Sequence, residues 1–105
     1  MPVSSARPAG VSQAQWQEFT DFQRAVYRTI SRIPRGQTRT YQWVARQVGR
    51  PAAARAVGNA LHRNPCAPQV PCHRIVRNDG SLGGYAGGLK KKAALLKREG
   101  WEPGA

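Results

Sequence analysis

The stretch Thr40-Tyr41-Gln42-Trp43-Val44-Ala45-Arg46-Gln47-Val48-Gly49, continued by Arg50-Pro51 and the Ala-rich run to Arg63, decides the fold. Thr40 stands where an N-cap belongs, because its hydroxyl can accept an otherwise free N–H of the first turn. Gly49 is a good helix stop, since it adopts the left-handed conformation at no steric cost. Pro51 suits the first turn of a second helix, having no N–H to leave unsatisfied. That helix is predicted from Pro51 to about Arg63 with Val57 and Leu61 inward, and Asn64-Pro65 closes it. Two short helices joined by about two residues make a helix-turn-helix. The second carries Arg55 and Arg63 among small side chains, which would let its backbone approach a nucleic-acid groove closely.

Upstream, Phe19, Phe22, Val26, Ile30 and Ile33 fall at helical spacing and predict one amphipathic helix from Trp16 until Pro34-Arg35-Gly36 ends it. The residues before Trp16 are small, polar and Pro/Gly-bearing, so residues 1–15 read as a flexible N-terminal arm ahead of one domain, 16–105. Downstream, Val70 to Val76 is a short β-prone run, and Asn78-Asp79-Gly80 is a turn signal. Ser81 to Gly88 is glycine-rich around Tyr85. Leu89 to Arg98 reads as a last helix, with Leu89, Ala93 and Leu96 inward and Lys90, Lys91, Lys92 and Lys97 outward. The expected fold is mainly α: a winged-helix-like helix-turn-helix domain with a short β element.

Composition bounds what such a domain can do. The chain has 105 residues, 17 Lys plus Arg against 5 Asp plus Glu, and a net charge of +12. That length allows one domain, and 40% apolar residues suffice to fold it. The basic residues are spread through the folded region rather than gathered in a tail, so the natural partner is a polyanion, nucleic acid above all. No membrane is expected as partner: apolar runs such as Ala93–Leu96 fall far short of the ~20 residues that span a bilayer, and no helix pairs Trp or Leu with a Lys face strongly enough to lie on its surface. The first ten residues, MPVSSARPAG, have no apolar core and are no secretion signal. Cys66 and Cys72 make no disulfide framework, so a reduced intracellular, cytoplasmic setting is expected.

Pro71-Cys72-His73-Arg74 is the segment that carries chemistry. A thiolate is a strong nucleophile, and a nearby imidazole and guanidinium lower a thiol pKa electrostatically. Adjacency does not by itself make Cys72 and His73 a pair, because neighbours on a strand point to opposite faces. The cysteine and histidine positions lack any standard zinc spacing, so no metal is expected. Taken alone, Tyr41 reads as a half-buried core aromatic, Arg55 as a solvated helix charge and Glu99 as an exposed charge of the last helix. Cys66 reads as a plain thiol, and Trp16, Trp43 and Trp101 as packing residues.

Pro71-Cys72-His73-Arg74-Ile75-Val76 resembles the PCHRV signature of the O6-alkylguanine-DNA alkyltransferases, the methylated-DNA–protein-cysteine methyltransferases. Thr40-Tyr41-Gln42 resembles that family's Ser/Thr-Tyr-Gln segment, and Ala54-Arg55-Ala56-Val57-Gly58 its recognition helix. Asn64-Pro65 precedes Cys72 by the family's eight and seven residues. Gly84-Tyr85-Ala86-Gly87-Gly88-Leu89 resembles its glycine loop, and Leu95 to Gly100 its closing helix, so the likeness runs from about Phe22 to Gly100.

The resemblance implies a fold, a reaction and roles. Cys72 would accept the alkyl group from O6-alkylguanine in double-stranded DNA, His73 would act through a water as base, and Glu99 would orient the imidazole. Tyr41 would donate to the leaving guanine and contact a phosphate, and Asn64 would hold the active-site turn. Arg55 would fill the gap left by the flipped nucleotide, with Ala53, Ala54, Ala56, Gly58 and Arg63 on the minor-groove surface. Pro71, Ile75, Tyr85, Ala86 and Gly87 would wall the pocket. The thioether is stable, so each molecule acts once, without cofactor, as a monomer.

The usual family member also carries an N-terminal α/β domain, so the resemblance covers the catalytic DNA-binding domain alone. Ala86 and Gln69 depart from residues common in the family. The alternative is an alkyltransferase-like protein, which lacks the acceptor cysteine and flags alkylated bases for other repair factors; position 72 is Cys here. A transcription factor on the same motif would need base-reading side chains, and the Ala-rich helix offers few.

Overall fold

Two hydroxyl caps divide the N-terminal apolar stripe into two helices. In the computed structural model, which describes residues 8, 11–63, 70–79, 81–83 and 88–101, Ser12 Oγ accepts the Gln15 N–H at 3.1 Å and starts α1, Gln13–Glu18. Thr20 starts α2, Asp21–Ile30: its Oγ1 accepts the Gln23 N–H at 3.1 Å while Gln23 Oε1 accepts the Thr20 N–H at 2.8 Å. The continuous helix expected from Trp16 to Ile33 is therefore broken at Phe19, whose backbone is extended (φ −77°, ψ 149°). A reciprocal capping box satisfies two free N–H groups at once and outcompetes helix continuation. Arg24 then ties the two helices, donating from Nε to Trp16 O at 2.9 Å and from Nη2 to Gln17 O at 3.0 Å. α1 starts inside the segment read from composition as an arm, and Val11 ahead of it is 5% exposed.

α3, Tyr41–Gln47, has the expected cap, Thr40 Oγ1 accepting the Trp43 N–H at 3.0 Å. α4, Ala54–His62, starts three residues later than Pro51 suggested. Pro51 O is taken by Gln42 Nε2 at 2.6 Å, and the Ala53 N–H returns to Arg50 O at 2.9 Å. Residues 50–53 thus form a turn between the helices rather than a first helical turn, and the connection is longer than two residues. Val57, Ala60 and Leu61 face inward. Tyr27 Oη donates to Ala60 O at 2.7 Å inside the core, fixing α4 to α2.

The β-prone run resolves into a 3₁₀ turn, Cys72–Arg74, followed by the short strand β2, Ile75–Val76. β2 pairs in parallel with β1, Arg39–Thr40, in the register Arg39 with Ile75 and Thr40 with Val76. This two-residue ladder positions the site. Thr40 is both strand residue and N-cap, so Tyr41 leaves the ladder on one side as the Cys72 turn enters it on the other.

α5 spans Leu89–Arg98, as expected, but its buried face is rotated. Leu89 is 56% exposed, whereas Lys92 and Leu96 are fully buried. The reason is polar: Lys92 Nζ donates to Ile75 O at 2.6 Å and to Leu82 O, so the ammonium is satisfied inside the protein. The core gathers Val26, Tyr27, Ile30, Ile33, Val44, Val57 and Ile75, with Phe19 packed edge-on against Tyr27 at 4.9 Å. Each fully buried aliphatic side chain contributes about 1.5–3 kcal/mol of transfer free energy. No helix among the described residues is long and apolar enough to cross a membrane.

Candidate active site

Cys72 and His73 diverge from one tight turn. The Cys72 N–H closes on Val70 O at 2.8 Å and the Arg74 N–H on Pro71 O at 3.0 Å, which forces successive side chains apart. Cys72 is 5% exposed and lines a cavity of about 320 Å³ with Tyr41, Gly58, Asn59, Leu61, His62 and Arg77. His73 points away from that cavity lining, into the protein, where it is 1% exposed.

His73 and Arg74 converge on Glu99. His73 Nε2 lies 3.0 Å from Glu99 Oε2. Arg74 holds both carboxylate oxygens, Nε to Oε1 at 2.9 Å and Nη2 to Oε2 at 2.7 Å, while its Nη1 donates to Ile33 O at 2.7 Å. Glu99, an exposed charge on pattern alone, is thus 10% exposed at its side chain and fully engaged. Arg74 hydrogen bonds, reinforced by His73 against the cost of burial, hold the Glu99 carboxyl down at about 2. Burial pushes the His73 imidazole below its ordinary value, although Glu99 pulls the other way. The pair at neutral pH is accordingly a neutral imidazole donating Nε2–H to a carboxylate, rather than an ion pair. That assigns the lone pair to Nδ1, which is buried with no hydrogen-bond partner among the described residues.

Tyr41 stands over the cavity from the first turn of α3. Burial raises its hydroxyl above the ordinary value, with Arg77 opposing, so the phenol keeps its proton and remains a donor. Gly58 of α4 passes close to it: a Cβ there would sit 3.8 Å from Tyr41 Cε1. Gly83 is tighter, with φ +72° and a hypothetical Cβ 2.9 Å from Tyr41 Oη, so this position excludes a side chain on both counts. Lys92 approaches from behind. Burial lowers its ammonium to about 8, partly offset by interaction with Cys72. The guanidinium of Arg74, the cation nearest Cys72 in sequence, is instead spent on Glu99 and Ile33.

The structure sets the expected residues in two groups: Cys72, Tyr41 and Gly58 line the cavity, and His73 pairs with Glu99 outside that lining. Pro71 and Ile75 are buried but lie outside the cavity lining, Ile75 in the core. Arg55, Ala56 and Arg63 are exposed along α4, with Ala53 and Ala54 half-buried at its start. Asn64, Cys66, Gln69, Tyr85, Ala86 and Gly87 lie outside the described residues. Sequence reasoning missed Asn59, Leu61, His62 and Arg77 in the lining, Arg74 as the clamp on Glu99, and Lys92. For Lys92 a signal existed, since 92, 96 and 99 share one helical face. Among the described residues no cluster of three His, Cys, Asp or Glu could hold a metal ion.

The chain matches the family described as 6-O-methylguanine DNA methyltransferase, DNA binding domain, over residues 21–101. It is 52% identical over 82 residues to the methylated-DNA–protein-cysteine methyltransferase of Methanosarcina barkeri, covering 78% of this chain and 52% of that protein. It is similar to the crystal structure of Mycobacterium tuberculosis OGT in complex with DNA, with TM-score 0.77, 49% identity, and coverage of 79% and 51% of the two chains. The S. pombe Atl1 structure, in complex with damaged DNA containing O6-carboxymethylguanine, matches with TM-score 0.73 and 33% identity over 81% of both chains. The chain spans about half the length of the methyltransferase relatives it matches.

Proposed function

The chain belongs to the 6-O-methylguanine DNA methyltransferase family, through its DNA-binding domain, and from that premise we propose that it repairs alkylated DNA directly. The substrate is double-stranded DNA carrying O6-alkylguanine, and the acceptor is Cys72. The observation that carries this reading is the position of Cys72: a cysteine in the wall of a cavity, on the turn whose next two residues clamp Glu99.

The chemistry is one displacement. The Cys72 sulfur attacks the alkyl carbon in line, the sulfur–carbon bond forms, and the carbon–O6 bond breaks with its electron pair going to guanine. The thiol loses its proton through a water to His73 Nδ1, the nitrogen left basic when Nε2–H is donated to Glu99. Guanine takes up one proton as it leaves, with the Tyr41 hydroxyl as donor at the cavity mouth; water returns a proton to Tyr41 as His73 gives up the one it took from the thiol, so the overall proton count is unchanged. A cavity of about 320 Å³ is at the small end of ligand pockets and suits one base with a short adduct. The base must leave the stack to reach it. Arg55, exposed on α4, takes the vacated position in the duplex, and Ala53, Ala54, Ala56, Gly58 and Arg63 lie along the groove.

Incubation with duplex DNA containing O6-methylguanine tests the reading by intact mass and by the mass of the peptide holding Cys72. Gain of one methyl group on Cys72, once per molecule, is the expected result. Binding of the lesion with no mass gain would overturn it in favour of a protein that flags alkylated bases without turnover.

A further inference from the structure

Arg77 stands in the cavity lining, and the displacement above makes no use of it. It follows β2 directly, so the ladder that fixes the Cys72 turn also fixes its backbone, and Ser81 O accepts its N–H at 2.9 Å. Its side chain is exposed. Gly83 packs between it and Tyr41: a Cβ on Gly83 would lie 3.4 Å from Arg77 Cγ as well as 2.9 Å from Tyr41 Oη. The two side chains therefore flank one narrow gap on the same rim. Their fields overlap too, because the Arg77 charge opposes the rise in the Tyr41 hydroxyl and helps lower Lys92.

Nothing acidic competes for Arg77 within the described lining, which contains no carboxylate. Glu99 is committed to His73 and Arg74. Asp79, the nearest acid in sequence, feels the Arg77 charge but forms no ion pair with it among the described residues; it is fully exposed and its Oδ1 accepts the Ser81 N–H at 2.9 Å. A nucleotide whose base enters this cavity leaves its sugar at the mouth, with one phosphate on each side of it. We propose that Arg77 binds a backbone phosphate of the flipped nucleotide and acts as a positioning residue for the transfer. This rests on the DNA-repair reading and adds a contact from the active-site strand to those from α4. A planar guanidinium on a strand end is well suited to it, because its fixed fork offers parallel donors to two phosphate oxygens and loses less freedom per hydrogen bond formed. The contact reads no base sequence; it fixes where the flipped sugar stops.

The test compares the protein with Arg77→Gln and Arg77→Lys. Methyl transfer to Cys72 is timed from duplex O6-methylguanine across a salt series, from the free O6-methylguanine base, and from duplexes with a neutral methylphosphonate 5′ or 3′ of the lesion. Arg77→Gln is expected to slow the duplex reaction about tenfold and to reduce the log–log salt slope by about one. Arg77→Lys, which keeps the charge without the parallel donors, should recover part of the loss and the salt slope, and the loss on duplex should far exceed that on free base. One of the two methylphosphonates should slow the unaltered protein and leave Arg77→Gln nothing further to lose. Equal losses on duplex and free base, an unchanged salt slope, or additive losses with both methylphosphonates would each overturn the proposal. So would a loss confined to lesions whose O6 substituent ends in a carboxylate, which would make the adduct the anion recognised. If the unaltered protein is methylated by neither substrate, the transfer reading itself fails; the affinity for the lesion duplex and its salt slope then still decide the role of Arg77.

Discussion

Glu99 Oε2 lies 3.0 Å from His73 Nε2, and the same carboxylate is gripped by Arg74, the residue after His73. Two neighbours on one tight turn thus close on a single acid at the end of α5. The consequence is chemical as well as structural. Arg74 keeps Glu99 ionised and fixed, Glu99 fixes the imidazole tautomer, and the basic Nδ1 is left over. Local turn geometry, helix docking and proton handling all depend on one carboxylate.

Glu99→Gln separates these roles. It leaves the shape but replaces charged hydrogen bonds to Arg74 by neutral ones, and the protein is expected to lose about 2–4 kcal/mol of unfolding free energy. Methyl transfer should slow by about a hundredfold, the scale of a mis-set general base. The pH dependence has a definite sign. Glu99 is held from 4.5 down to about 2, so the unfolded chain binds more protons and stability falls as pH drops through that window. The lowered His73 acts the same way below its ordinary 6.5. Urea unfolding from pH 7 to pH 3 should show this decline, with the acid limb flattened in Glu99→Gln. An equally steep limb in the variant would remove Glu99 as its source.

Tyr27→Phe tests the link between α2 and α4. The Tyr27 hydroxyl, in a residue 1% exposed, donates to Ala60 O at 2.7 Å. Its removal leaves a buried carbonyl with one partner fewer, and about 1–2 kcal/mol of stability should go. Four α4 residues line the cavity, so looser placement of α4 should lower affinity for the lesion duplex and slow reaction with the free base alike. Urea midpoints and fluorescence anisotropy read the two effects.

How far these relations could be read in advance depended on the range of the forces involved. The cap at Thr40, the stop at Gly49 and the extent of α5 are local, and the residues alone place them. The start of α4 is not: Pro51 is helix-compatible by itself, and only Gln42 reaching across to its carbonyl makes it a turn. The phase of α5 failed for a related reason. Leu89, Ala93 and Leu96 fit a helical face as well as Lys92, Leu96 and Glu99 do, and hydrophobicity chooses the first set. What favours the second is a pair of backbone carbonyls from distant segments. Within the site, Cys72, His73, Tyr41 and Glu99 came from the family resemblance; the structure sets Cys72 and Tyr41 on the cavity and pairs His73 with Glu99 outside its lining. Arg74 stands inside the Pro71 to Val76 signature and Arg77 directly after it, but what each faces follows from a two-residue parallel ladder that no spacing announces.

Lys92→Met keeps the volume of a fully buried side chain and removes its donors. At pH 7 the loss of hydrogen bonds to Ile75 O and Leu82 O should cost about 1–3 kcal/mol. The diagnostic is the alkaline limb. Lys92 falls from 10.5 unfolded to about 8 folded, so across that interval the unfolded chain holds the extra proton and stability rises with pH. The difference in unfolding free energy between the protein and Lys92→Met should therefore widen from pH 8 to pH 10.5. A constant difference would mean that the buried amine titrates as it does in water.

Gly83→Ala probes the rim of the cavity beside Tyr41. A side chain there costs about 1–2 kcal/mol for the left-handed backbone at φ +72° alone. The methyl would also stand 2.9 Å from Tyr41 Oη, closer than any real Cβ contact, so either the phenol or the loop must move. Both the urea midpoint and the rate on duplex DNA should drop. The two costs can be told apart, because the backbone term does not depend on Tyr41 and the clash does. Tyr41→Phe removes the hydroxyl, and in that background Gly83→Ala should destabilise less than it does alone, with a coupling of about 0.5–1 kcal/mol. The nearest remaining ring atom, Cε2 at 3.2 Å, keeps the relief partial. Strict additivity in the double-mutant cycle would show that Gly83 serves the loop and leaves the placement of Tyr41 to the rest of the site.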